Sequence, residues 1–193
     1  MARRYLRATR IAAALTQPPM LKQTLLALAV VSAPLSSQTL TPIGSARTLW
    51  QGVARNIAES ANDVPADKYS YKPTPDVRSF GELFAHVAGA ELRFCAMALG
   101  ESPPTEDAVE KKALDKQGLI QALRASNEAC MRAYAQTDAA VAAPVNASAP
   151  NPSRLQMLIM NATHDSEHYG NIVTYLRMNG MVPPSSKPRP RGH

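Results

Sequence analysis

Apolar side chains recur at helical spacing in four separate stretches of the chain, and polar, proline-containing segments divide them. In residues 45–62, Leu49, Val53 and Ile57 follow one another every four positions with Trp50 beside them, which predicts a first helix on that stripe. Residues 65–75 hold three prolines and read as an extended connection. A second helix is expected from a Ser79 N-cap, with Glu82 placed to close a capping box, as far as Leu99, where Gly100 ends it. Phe80, Leu83, Val87, Phe94, Met97 and Ala98 share its apolar face, and His86 lies on the edge of that face. A polar loop is expected over residues 101–115. A third helix over 116–137 turns Leu119, Leu123, Cys130 and Tyr134 inward, and residues 138–152 form another loop. The last helix starts after Ser153 and runs to about Asn179, before Gly180 and Pro183-Pro184. Its inward face carries Leu158, Asn161, His164, His168, Ile172, Tyr175 and Leu176.

Four helices without a strand pattern predict an all-α four-helix bundle over residues 39–186. The long links between the first and second helices, and between the second and third, argue against a plain series of hairpins.

Charge sharpens the division of the chain. The formal net charge is +6 over 193 residues. Arg3, Arg4, Arg7, Arg10 and Lys22 precede residue 39 with no acid among them, and Lys187, Arg189 and Arg191 lie in the C-terminal tail. The stretch between is slightly acidic, which argues against nucleic acid as a partner. Lys22 and the short apolar run from Leu25 to Val31 form an export leader over residues 1–38, with Met20 as an alternative start. A periplasmic or secreted protein is therefore expected. No later segment is long and apolar enough to span a membrane. Residues 187–193 read as a basic, unstructured tail.

The candidate chemistry is histidine. His164 and His168 are one helical turn apart, so both imidazoles leave the same face and can hold one metal ion. His86 supplies a third ligand from another helix, and His193 is the only other histidine. Neutral imidazoles suit zinc or nickel, with iron or manganese as further choices. Asn161 and Asp165 either orient the imidazoles or face solvent, and Tyr175 either lines a pocket or packs in the core. Glu91 and Glu167 point away by helical phase. Asp165 follows the first histidine where the zinc-protease pattern His-Glu-x-x-His has glutamate, which argues against proteolysis. Cys95 and Cys130 fall in different helices and form either an inter-helix disulfide or two buried thiols.

The stretch from Ser79 through His86 to Glu91 and the stretch from His164 through His168 to Gly180 and Ser185, with Lys68 to Pro75 before them, resemble the DinB-like superfamily. The resemblance spans about residues 45–186. It implies a bundle in which His86, His164 and His168 bind a divalent metal, and a homodimer. It also implies kinship with thiol transferases and a thiol-dependent maleylpyruvate isomerase, although the export leader departs from those cytoplasmic relatives. Two functions follow. One is a metal-dependent hydrolase or thiol transferase acting on a small-molecule substrate. The other is a non-catalytic, stress-associated metal-binding bundle of the cell envelope. An open coordination site beside a concave apolar pocket distinguishes the first, and a closed site with no pocket the second.

Overall fold

A computed structural model describes residues 40–146 and 152–188. The expected export leader, residues 1–38, and His193 lie outside these residues. Within them are five α-helices and no strand: α1 (Pro42–Asp63), α2 (Phe80–Leu99), α3 (Lys116–Tyr134), the single-turn α4 (Asp138–Val141) and α5 (Arg154–Met178). The bundle itself is made by α1, α2, α3 and α5.

The helix ends follow from local chemistry. Ser79 accepts a hydrogen bond from the Glu82 N–H while the Glu82 carboxylate accepts from the Ser79 N–H, so the expected capping box is present. Gly100 closes α2 at φ 76°, a left-handed conformation that costs glycine little. Asp115 and Ser153 cap α3 and α5 through their side chains.

Packing order differs from chain order. α2 lies against α3 and α5, and α1 lies against the same two helices. The consecutive helices α1 and α2 therefore sit across the bundle diagonal from each other, which the long link between them permits. None of the described helices is long and apolar enough to cross a membrane.

Leu49 does not belong to the α1 core stripe. Its side chain is 71% exposed, while Trp50 is 2% exposed and stacks on Tyr134 at 4.6 Å between ring centroids. The buried stripe is Ile43, Ala46, Trp50, Val53, Ile57 and Ala61. Trp50 can be buried because its indole N–H donates across the bundle to Glu91 Oε1 at 3.0 Å. On α2, Phe94 and Met97 are only partly buried, and the most deeply covered part is the run from Leu83 to Glu91. The loop expected over 101–115 contains two 3₁₀ turns, Glu106–Ala108 and Glu110–Lys112. The third helix stops at Tyr134, short of residue 137, and Thr137 caps the separate α4.

Residues 183–187 pack back onto the bundle. Pro183 and Pro184 are buried, Tyr169 Oη donates to Ser185 Oγ at 2.9 Å, and Lys187 pairs with Asp63 at 2.6 Å.

Two apolar clusters fill the bundle, and a polar layer separates them. Ala88 and Leu123 belong to one cluster, and Cys95, Cys130 and Leu158 to the other. Between them in sequence lie Glu91, Ser126 and Asp165, which with Asn161 are all at most 1% exposed. Cys95 and Cys130 form a disulfide that ties α2 to α3 beside this layer, with Cα atoms 5.1 Å apart.

Candidate metal centre

His86 is carried by the second turn of α2, and His164 and His168 by consecutive turns of α5. Because α2 packs directly on α5, the three imidazoles meet. His164 Nε2 stands 3.2 Å from His86 Nε2 and 3.1 Å from His168 Nε2. One ligand atom from each ring falls within 4.8 Å of the other two. His86 and His168 are buried, and the His164 side chain is 17% exposed.

The back of His86 is held by a residue of the 101–115 segment. His86 Nδ1 stands 3.0 Å from Glu110 Oε1, and the same oxygen accepts from Arg78 Nε at 3.0 Å. A neutral imidazole has one proton, so a proton shared with Glu110 at Nδ1 leaves the Nε2 lone pair facing the other two histidines. Glu106, one turn before Glu110, places Oε1 3.5 Å from His86 Nε2.

Burial keeps the rings neutral. It is the largest influence on all three, lowering His86 to about 3 and His168 to about 4, and lowering His164 as well. The Arg78 guanidinium adds to the effect at His86, and the neighbouring His164 adds to it at His168. Three neutral nitrogens converging at hydrogen-bond distance have too few protons to satisfy one another, and His164 Nδ1 and His168 Nδ1 have no protein partner. A single cation among the Nε2 atoms satisfies all three lone pairs. Two nitrogens about 2.0–2.1 Å from one zinc ion at the tetrahedral angle stand about 3.3–3.4 Å apart, close to the spacing found. The residues therefore fit a divalent ion.

The other polar residues divide as follows. Asn161 turns to the disulfide layer, with Nδ2 at 3.3 Å from Tyr134 Oη, and does not reach the histidines. Asp165 is fully buried, and its carboxylate lies 3.8 Å from His164 Nδ1, too far for a hydrogen bond. Burial raises both Asp165 and Glu91, and their proximity raises Glu91 further, so the pair retains a proton. Glu91 also accepts from Ser126 and Trp50. Glu167 is exposed on the far side of α5. Tyr175 takes both of its expected places: it is 6% exposed in the core, and its hydroxyl donates to the Arg78 carbonyl at 2.9 Å on the edge of a cleft.

That cleft has a volume of about 700 Å³ and opens beside His168, with Lys72, Arg78, Glu82, Glu110 and Asn171 among its walls. It is concave but polar. Helical periodicity is silent about Glu106, Glu110 and Arg78, because all three lie outside the periodic segments. The available signal is Gly89, a glycine inside a strong helix pattern, which marks a close approach of another backbone.

The sequence profile of the DinB superfamily matches residues 49–172. Among solved structures, a DinB-like protein from Bacillus subtilis is similar at TM-score 0.57 and 20% identity, over 72% of this chain and 93% of that one. A mycothiol-dependent maleylpyruvate isomerase is similar at TM-score 0.55 and 17% identity, over 69% of this chain and 60% of that one. No curated protein matches. At these identities the solved structures speak for the fold, and the profile match over most of the chain speaks for the family. The chain belongs to the DinB superfamily.

Proposed function

We propose that this protein is a metal-dependent enzyme that acts on a small polar molecule, with His86, His164 and His168 as the ligands of one divalent ion. The observation that carries the reading is the convergence of three neutral imidazole nitrogens at the edge of a polar cleft. When bound, such an ion acts as a Lewis acid and lowers the pKa of a ligated water or thiol. The protein's own residues set the frame for that chemistry. Glu110, anchored by Arg78, fixes the His86 ring, and burial keeps the imidazoles in their neutral, singly protonated form. Lys72 and Arg78 offer positive charge to a substrate in the cleft, while Glu82 and Glu110 partly balance it. Hydrolysis and transfer of a low-molecular-weight thiol both suit this arrangement. The fold shared with a mycothiol-dependent isomerase supports the thiol branch. A non-catalytic metal-holding bundle has no use for the cleft and stands second.

The test is a screen of the metal-loaded protein against thiol–electrophile pairs and small esters, with His164→Ala as control. Turnover by the parent that the variant lacks supports the reading. A loaded parent with no turnover across both classes favours the non-catalytic bundle.

The proposal extends to location. The leader pattern at Lys22 to Val31 and the disulfide between Cys95 and Cys130 together support export to an oxidising compartment. Mass spectrometry of the native protein should then find a mature start near residues 33–38, and an intact leader on functional protein overturns it.

A further inference from the structure

A second cavity adjoins the wall of the polar cleft. Its volume is about 420 Å³, within the range of small-molecule sites, and it lies between the 3₁₀ turn Ala66–Lys68, the start of α2 and the start of α3. Glu82 and Glu110 line both spaces, so the cleft and the cavity meet at these two side chains. Glu82 is held from the cleft side by Lys72 at 3.4 Å, an exposed pair that opens at little cost.

The surface this cavity offers is carbon. Tyr69, Ala85, Ala113, Leu114 and Leu119 line it. The Tyr69 hydroxyl donates to the Ala61 carbonyl, which leaves its ring for the wall. Gly81 keeps space in the same wall: a Cβ there would stand 3.3 Å from the Tyr69 carbonyl oxygen and 3.6 Å from Leu119 Cδ1. Ala113 holds φ 46°, a left-handed conformation that residues other than glycine rarely adopt, and strain of this kind gathers at binding sites. The charged groups around the cavity are already engaged elsewhere. Glu82 accepts from the Ser79 N–H, Glu110 is taken by Arg78 and His86, and Asp115 accepts from the Gly118 N–H. Lys116 Nζ donates to the carbonyls of Asn62 and Val64. A ligand here gains from burying carbon and not from hydrogen bonds with these groups.

We infer that the cleft and this cavity form one amphiphilic site, in which the substrate keeps its polar group in the cleft and a short straight alkyl or acyl chain in the cavity. The inference rests on the cleft as the substrate site proposed above, and it narrows the substrate class to small molecules that carry such a chain. A wholly polar substrate has no use for an apolar cavity that shares two side chains with its binding site.

The experiment is calorimetric titration of the full chain with straight-chain carboxylates from acetate to octanoate, joined to methyl NMR of the octanoate complex. Affinity should rise with each added methylene, by up to about fourfold, until the cavity is filled. The methyl signals of Ala85, Ala113, Leu114 and Leu119 should shift on binding. Leu114→Ser, a change at a half-buried position, should flatten the dependence on chain length while helical circular dichroism is retained. The apolar contacts involve no histidine, so the series is read with and without zinc. Affinity that does not change with chain length in the parent, or shifts confined to methyls elsewhere, overturns the inference. A parent that binds no zinc yet shows the rise overturns the metal reading and leaves the cavity assigned; one that binds zinc without the rise does the reverse.

Discussion

The disulfide between Cys95 and Cys130 joins α2 to α3 at a sequence separation of 35, and the chain between them includes the whole segment that bears Glu106 and Glu110. Removing the bond restores freedom to the unfolded state. In the chain-entropy treatment a loop of this length is worth about 4 kcal/mol. For a domain of this size each kcal/mol moves the melting temperature by about 2–4 °C, so loss of the crosslink should lower it by roughly 8–16 °C. Both sulfurs are fully buried, so a reductant should reach them only when the fold opens. The assay has two arms. Thermal melts followed by circular dichroism compare the oxidised parent with the parent reduced in denaturant and refolded under reductant. Thiol counting follows the native protein in dithiothreitol over time. Comparison with the reduced parent, and not with alanine variants, keeps both sulfur atoms in the core and isolates the crosslink. A melting temperature within 3 °C of the oxidised protein, or native thiols that appear as fast as in the unfolded chain, would refute the reasoning.

Three further outcomes are expected. Trp50→Ala removes a buried ring and its bond to Glu91 and should cost about 3–5 kcal/mol in urea unfolding, whereas Leu49→Ala should stay within about 0.5 kcal/mol; equal costs would show that the α1 face is misassigned. Glu110→Ala frees His86 Nδ1 and Arg78 and should weaken metal binding by about 10–100-fold in chelator competition, with the melting temperature of the metal-free protein little changed. Glu91→Gln keeps acceptors for Trp50 and removes a titrating group. The Glu91 carboxyl is raised on folding, so the folded state holds a proton that the unfolded chain releases above about pH 4.3, and stability attributable to it falls as pH rises from there through its raised value. The parent should therefore lose more stability than Glu91→Gln between pH 5 and pH 8, and parallel slopes would contradict the retained proton.

Much of the bundle is legible in the residues because local chemistry decides it. Ser79, Glu82 and Gly100 bound α2 without help from the rest of the chain, and the four-residue spacing of His164 and His168 puts both on one face of any helix. The face of α1 was harder to read. Leu49 and Trp50 are both compatible with a stripe through Val53 and Ile57, since they differ by about 100° of helical phase. What decides between them is Glu91, a buried acceptor on a helix across the bundle, and this is invisible until α1 and α2 are known to lie on a diagonal. The histidine triad could be named from sequence because His164 and His168 share a helix face and the family resemblance adds His86. Its partners could not: Arg78, Glu106 and Glu110 are three of many surface charges, and only the way the 101–115 segment lies on Gly89 singles them out.

The central claim is that His86, His164 and His168 together hold one divalent ion. Equilibrium dialysis of the purified full chain against zinc, followed by elemental analysis, tests it most directly when the parent is measured beside His164→Ala. His164 Nε2 makes both of the short contacts of the cluster, 3.2 Å to His86 and 3.1 Å to His168, so its loss removes both and leaves two ligands. The account predicts one zinc per parent chain, and a variant that retains helical circular dichroism but little or no metal. A parent without stoichiometric zinc, or a folded His164→Ala that keeps it, would contradict the account.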